Sequence, residues 1–113
     1  LHLKNYVIIK AGDFMEKLCK KFAQIGQLFG KRWVPLIIYE LLNGPKRFHD
    51  LEVVIEISGK MLSERLKALE SEGILKRNVY PETPVRIEYE LTEKGYDLKP
   101  IIESMVVWSQ QHY

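Results

Sequence analysis

Apolar positions follow two different periods along the chain, and the period changes near Gly73. Before that point the spacing is helical. Phe14, Leu18, Phe22, Ile25 and Phe29 recur every three or four residues, which makes one stripe of an amphipathic helix. Asp13 and Glu16 form a candidate capping pair and Gly30 a stop, so the first helix is expected over 13–29, behind an extension over 1–12. Trp33–Leu42 reads as a second, mostly buried helix, with Pro35 tolerable only in its first turn and Asn43-Gly44-Pro45 ending it. A short third helix is expected over Phe48–Ile55, with Leu51, Val54 and Ile55 inward. Ser58 is a good N-cap for a fourth, whose Leu62, Leu66 and Leu69 share one face and whose stop is Gly73. At about 15 residues that helix is roughly 22 Å long.

Beyond Gly73 the period drops to two. Ile74–Tyr80 is β-prone, and Val85, Ile87, Tyr89 and Leu91 alternate with Arg86, Glu88 and Glu90. The stiff Pro81–Pro84 loop between them predicts a projecting hairpin over 74–91. Thr92 caps a final helical segment over 92–113, in which Gly95 and Pro100 forecast a weak or kinked first part. Its apolar residues Ile101, Ile102, Met105, Val106 and Trp108 make a stripe too wide for one contact, so a second chain is expected to cover part of it. The fold class is mainly α with a small β-hairpin (α+β), with helices in the order of a winged helix-turn-helix.

Composition narrows the possibilities. With 113 residues the chain fits one domain. Apolar runs such as Val34–Tyr39 are far shorter than a membrane span, and Tyr6–Ile9 is too short for a signal core. The lone Cys19 cannot form an internal disulfide, which suits a reducing cytoplasm. The net charge of +2 conceals a gradient: +5 over 1–32, zero over 33–86 and −3 over 87–113. Such asymmetry suits a body that meets a polyanion on one side. His2, His49 and His112 are isolated from each other and from Cys at ligand spacing, and no phosphate loop or hydrolase signature occurs. Neither a metal, a cofactor nor an enzyme is expected.

A short helix, a tight turn and a capped helix let the second helix present its first turns to a major groove. With the leucines inward, Lys60, Ser63, Glu64 and Lys67 point outward. Lys60 and Lys67 can neutralise phosphates or reach guanine, and Ser63 can hydrogen-bond a base or a phosphate. Lys46 and Arg47 are placed to clamp the backbone beside the groove, and Arg86, leaving the hairpin tip, suits a phosphate or a narrow minor groove.

Several segments taken together resemble the HxlR family of small winged-helix transcriptional regulators, related in fold to MarR-type proteins. They are Gly30–Trp33, Leu41–Phe48, Ile57–Glu70, Val79–Tyr89 and Leu91–Gly95, in order and without a gap across about residues 19–108. The resemblance implies a homodimer built from the first and last helices, with Phe22, Ile101, Ile102, Met105 and Trp108 at its interface. It further implies double-stranded DNA with a near-palindromic operator as partner, a recognition helix over Ser58–Glu72 that adds Ser58 to the DNA-facing set, and a wing at Pro81–Pro84. Repression is the simplest mode of control. One position departs: Gly59 stands where relatives often carry Gln, a bidentate reader of adenine, so Lys60 and Ser63 or operator shape must serve instead.

Cys19 lies fourteen residues before Trp33, where several relatives place a thiol that senses electrophiles or oxidants. The proline that follows it in the family is Lys20 here. In the second turn of a helix starting at Asp13, the helix dipole would do little to activate the thiol. Lys20 and Lys21 do not face the sulfur. Plain packing beside the Phe/Leu stripe is the competing role. Trp33 and Trp108 read as core or interface anchors, with an effector pocket beside Trp108 as the alternative. Two other classes of function stay open: a winged-helix module that grips a protein without touching DNA, and a Cys-dependent enzyme.

Overall fold

The computed structural model describes the backbone of His2–Tyr113 and the side chains from Gly12 onward. Its elements run α1 (His2–Phe29), α2 (Val34–Leu41), α3 (Phe48–Ile55), α4 (Gly59–Ser71), β1 (Leu75–Tyr80), β2 (Arg86–Leu91), α5 (Glu93–Tyr96) and α6 (Lys99–His112). They fall into two units, residues 1–32 and 33–113.

The first unit is α1, which begins well upstream of Asp13, so the predicted cap and the separate extension over 1–12 are both corrected. The Asp13 carboxylate meets Lys17 Nζ at 3.2 Å instead of capping N–H groups, and Glu16 lies 3.9 Å from Lys20 Nζ. Acids spaced three apart serve a helix surface as readily as a helix start. Gly12 alone interrupts the upstream run, and one glycine costs only about 1 kcal/mol. Within this unit Phe14, Phe22 and Ile25 remain largely exposed.

The second unit is built around α2, whose Val34, Ile37, Ile38 and Leu41 are fully buried. Pro35 sits in its first turn, where a missing N–H costs nothing. α3 buries only Leu51. Val54 is exposed and Ile55 half-buried, contrary to expectation, because the chain turns at Glu56 in the left-handed region (φ 60°) and Ile57 takes the core position.

α4 has the predicted ends. Ser58 Oγ accepts from the Met61 N–H at 3.2 Å, and beyond Ser71 the Gly73 N–H donates to the Glu70 carbonyl while the Ile74 N–H donates to Leu69. This reciprocal pair needs the left-handed backbone that Gly73 supplies at φ 73°. Leu62, Leu66 and Leu69 are buried beneath the helix, and truncating any of them to alanine would cost about 2–5 kcal/mol.

The hairpin pairs Leu75 with Leu91, Arg77 with Tyr89, Val79 with Ile87 and, on its other side, Lys76 with Glu90, Asn78 with Glu88 and Tyr80 with Arg86. Its two faces therefore differ in kind. Lys46 extends the ladder: its N–H and C=O exchange hydrogen bonds of 2.9 and 2.8 Å with Tyr89.

Thr92 ties this assembly together. Its N–H donates to the Ile74 carbonyl at 3.0 Å, its hydroxyl donates to the Gly73 carbonyl at 2.6 Å, and the same oxygen accepts from the Gly95 N–H. Gly95 packs so closely that a Cβ there would strike the Ile74 carbonyl oxygen. The expected weakness before Pro100 is a true break between α5 and α6. On α6, Ile102 is buried in the unit's own core, whereas Ile101, Met105 and Trp108 are exposed. Ile102 is therefore corrected from interface residue to core residue. A stripe that is wide in sequence is here split between the core of this unit and an exposed surface.

Candidate nucleic-acid interface

On α4, Lys60, Glu64 and Lys67 are exposed and Ser63 half-buried, opposite the leucine row. Lys60, Ser63, Glu64 and Lys67 thus form one continuous outer stripe two turns long. Ser58 spends its oxygen on the cap, though its hydroxyl hydrogen stays available to an acceptor. A Cβ at position 59 would stand 3.0 Å from Glu52 Oε2 and 3.8 Å from Phe48 Cε1. A side chain there starts toward α3 rather than outward.

Lys46 and Arg47 are held at the entry to α3. The ladder with Tyr89 fixes Lys46, and the Arg47 N–H donates to Asp50 Oδ2 at 3.2 Å. The acid three residues on thereby satisfies one of the donors a helix start leaves open.

Arg86 is differently placed from the sequence expectation of a free phosphate ligand. Its guanidinium bonds Glu82 through Nε (3.1 Å) and Nη2 (3.2 Å), and Glu88 through Nη1 (2.7 Å), while lying 3.9 Å over the Tyr80 ring. Two carboxylates around one guanidinium leave the set with a net negative charge, so a phosphate would have to displace them. The hydrogen bond from Arg86 holds the Glu82 carboxyl below its ordinary range, assisted by the charges of Arg86 and Arg47 and opposed by burial. On the same face, hydrogen bonds first from Lys76 (3.0 Å) and then from Asn78 (3.3 Å) lower the Glu90 carboxyl.

The opposite face of the hairpin turns toward α4. There Arg77 and Tyr89 join Ser63, Leu66, Lys67 and Glu70 around a cleft of about 390 Å³. Arg77 is absent from the residues that the sequence singles out. Its signal lay in the strand register: given Tyr80 opposite Arg86, cross-strand counting puts Arg77 beside Tyr89.

The sequence-assigned residues do not all gather. Lys60, Ser63 and Lys67 share one helix face, Lys46 and Arg47 flank it through β2, and Arg86 belongs to the far face of the hairpin. Cys19 is exposed in α1, about 25 Å from that helix's start, beyond reach of its terminal partial charge. Ile101, Met105 and Trp108 line an open apolar hollow on α6 with Pro100 and Tyr113, and Trp108 packs against His112 and Tyr113 (ring centroids 4.8 and 5.6 Å).

Comparison with known proteins places these elements among regulators. Residues 28–113 match the model of an HxlR-like helix-turn-helix. The HTH-type transcriptional regulator YvaP of Bacillus subtilis is 49% identical over 96 residues, covering 84% of this chain and 89% of that protein. YodB of B. subtilis is 48% identical over 95 residues, covering 83% and 85%. Its reduced form superposes with a TM-score of 0.73 over 81% of this chain and 91% of that one. It has also been solved diamide-treated and quinone-bound. The oxidised form of the redox regulator HypR, 32% identical, superposes with a TM-score of 0.78 over 82% and 97%. No described helix is long and apolar enough to cross a membrane.

Because folding lowers the Glu82 and Glu90 carboxyls, their contribution to hairpin order is present above the ordinary carboxyl value of 4.5 and is lost as the pH falls through their lowered values in the fold. Carboxyl carbon NMR titration should give midpoints for both below 4.5. Replacing Arg86→Ala should return Glu82 toward the ordinary value and leave Glu90 where it was. An unchanged Glu82 midpoint in that variant would refute the pairing.

Proposed function

The chain belongs to the HxlR-like helix-turn-helix family of transcriptional regulators, and from that premise we propose that it is a sequence-specific, homodimeric DNA-binding repressor acting in the cytoplasm without catalysis. The observation that carries this reading is the outer stripe of α4: two lysines and a serine on a capped, leucine-anchored helix that follows a tight turn. Lys60 reads base edges, Ser63 bonds a base edge or a phosphate, Lys67, Lys46, Arg47 and Ser58 hold phosphates, and Glu64 rejects misplaced ones. Arg86, the DNA-facing candidate of the hairpin, has its guanidinium already bonded to Glu82 and Glu88 and adds no phosphate contact of its own.

Two apolar surfaces support the dimer, one in each unit: the Phe22 stripe of α1 and the Ile101, Met105 and Trp108 face of α6. A second copy of the chain covers both, setting the two α4 helices about 34 Å apart in successive major grooves of a near-palindromic operator. Control is by a thiol-reactive electrophile or oxidant at the exposed Cys19. The support is the 48% identity to YodB, a protein solved in diamide-treated and quinone-bound forms. Modification of the thiol shifts the dimer helices and spoils the spacing of the reading heads.

Operator DNA selected from random duplexes should bind Lys60→Ala more weakly by about 1–3 kcal/mol, with a smaller loss on mixed-sequence DNA. Equal affinity for the operator in a gel-shift titration would overturn the recognition-helix assignment. Ile101→Glu, which puts an unpaired charge on the α6 face, should sediment as a folded monomer where the unaltered chain sediments as a dimer. A dimer that survives the change would remove α6 from the interface. Diamide or a quinone should release the unaltered protein from its operator and spare Cys19→Ser, and equal release of both would dismiss the thiol as the sensor.

A further inference from the structure

The cleft between α4 and the hairpin sets Arg77, which has no role above, beside Ser63 and Lys67, which have. Arg77 enters it from β1, on the hairpin face that also carries Tyr89, while Ser63 and Lys67 enter from α4. Among the described residues no carboxylate is paired with Arg77 or Lys67. Glu70 also lines the cleft, so its cations exceed its anions by one. Arg86 offers a direct contrast: it lies on the other face of the same hairpin, and its guanidinium is already bonded to two carboxylates.

We propose that this cleft seats one backbone phosphate of duplex DNA, and that Arg77, at the base of the wing, rather than Arg86 at its tip, supplies the wing's phosphate contact. The inference rests on the DNA-binding reading above and adds the site at which the strand flanking the groove is held. Three features of the chemistry favour a phosphate. A guanidinium presents parallel donors that match two phosphate oxygens, and the Lys67 ammonium adds a mobile positive charge. The hydroxyls of Ser63 and Tyr89 add neutral donors. The location is also right, since Ser63 and Lys67 share the outer stripe of α4 with Lys60. When that stripe enters a major groove, a phosphate chain bounding the groove passes alongside the helix. Glu70, at the cleft's α4 wall, opposes an anion there, so removing its charge should strengthen the contact.

The test is the salt dependence of binding to a 30-base-pair mixed-sequence duplex, measured for the full chain and its variants by fluorescence anisotropy. Each phosphate contact contributes about 0.9 to the slope of log affinity against log salt. Arg77→Ala should lower the slope by about 0.9 per bound subunit and reduce affinity for mixed and operator sequences by the same factor. Arg77→Lys should retain the slope, Glu70→Gln should raise affinity for both duplexes, and Arg86→Ala should leave the slope unchanged. Arg77 is exposed, so thermal melting of each variant should show the fold kept. If Arg77→Ala keeps the full slope, or if Arg86→Ala loses it instead, the phosphate site is wrong. A Lys60→Ala defect on the operator would in that case leave the broader DNA-binding reading standing. If the unaltered chain binds no duplex at low salt, both fall together.

Discussion

What α4 shows to the outside is dictated by what its other side buries. Leu62, Leu66 and Leu69 sit with almost no exposure in the second unit's core, so the helix cannot roll without lifting them into water. Lifting one buried leucine would cost about 1.5–3 kcal/mol, and a roll large enough to redirect Lys60 would lift all three. The caps work in the same direction, with Ser58 fixing where the helix begins and the Gly73 turn where it ends. The positions of Lys60, Ser63 and Lys67 are therefore consequences of packing rather than of their own contacts, which leaves these side chains uncommitted.

The hairpin applies the alternation of a β-strand to charge. Its outer face carries Lys76, Asn78 and Arg86 laced to Glu82, Glu88 and Glu90, a surface whose cations are already matched. Its inner face carries Arg77 beside Tyr89 and the α4 cleft. A one-residue slip in register would exchange the two faces, placing matched charges against α4 and turning Arg77 away from it. The ladder between Lys46 and Tyr89 guards against that slip by fixing β2 from its other edge.

Much of this was legible in the sequence wherever a local rule decides the outcome. The caps at Ser58 and Thr92, the stop at Gly73, the leucine row and the change of period are each settled by a few adjacent residues. The family likeness was legible as well, because its motifs run unbroken across the helix-turn-helix and the hairpin. The failures come where two structures share one local pattern. Asp13 and Glu16 fit a helix start or a helix surface, and nothing nearby chooses between them. Ile101 and Ile102 both belong to a broad apolar stripe, and only the packing of α6 on α2 shows which is core. Arg86 looked available although the alternation already put Glu88 on its face, because the second partner, Glu82, reaches it only through the geometry of the hairpin tip. Arg77 was invisible because its role depends on strand register and on α4 at once.

The knot at Thr92 has a mechanical consequence. Its hydroxyl grips the Gly73 carbonyl, and Lys94 Nζ bonds the Glu72 carbonyl at 2.7 Å, so the last turn of α4 is fastened to the segment leading into α6. That makes α4 a lever with its fulcrum at the Glu72 end. Lys60 lies about 18 Å along the lever arm. A tilt of only about 5° at the fulcrum would swing Lys60 by roughly 1.6 Å, about half the length of a hydrogen bond. Small angular errors at the Glu72 end would thus be magnified at the end of α4 that carries Lys60.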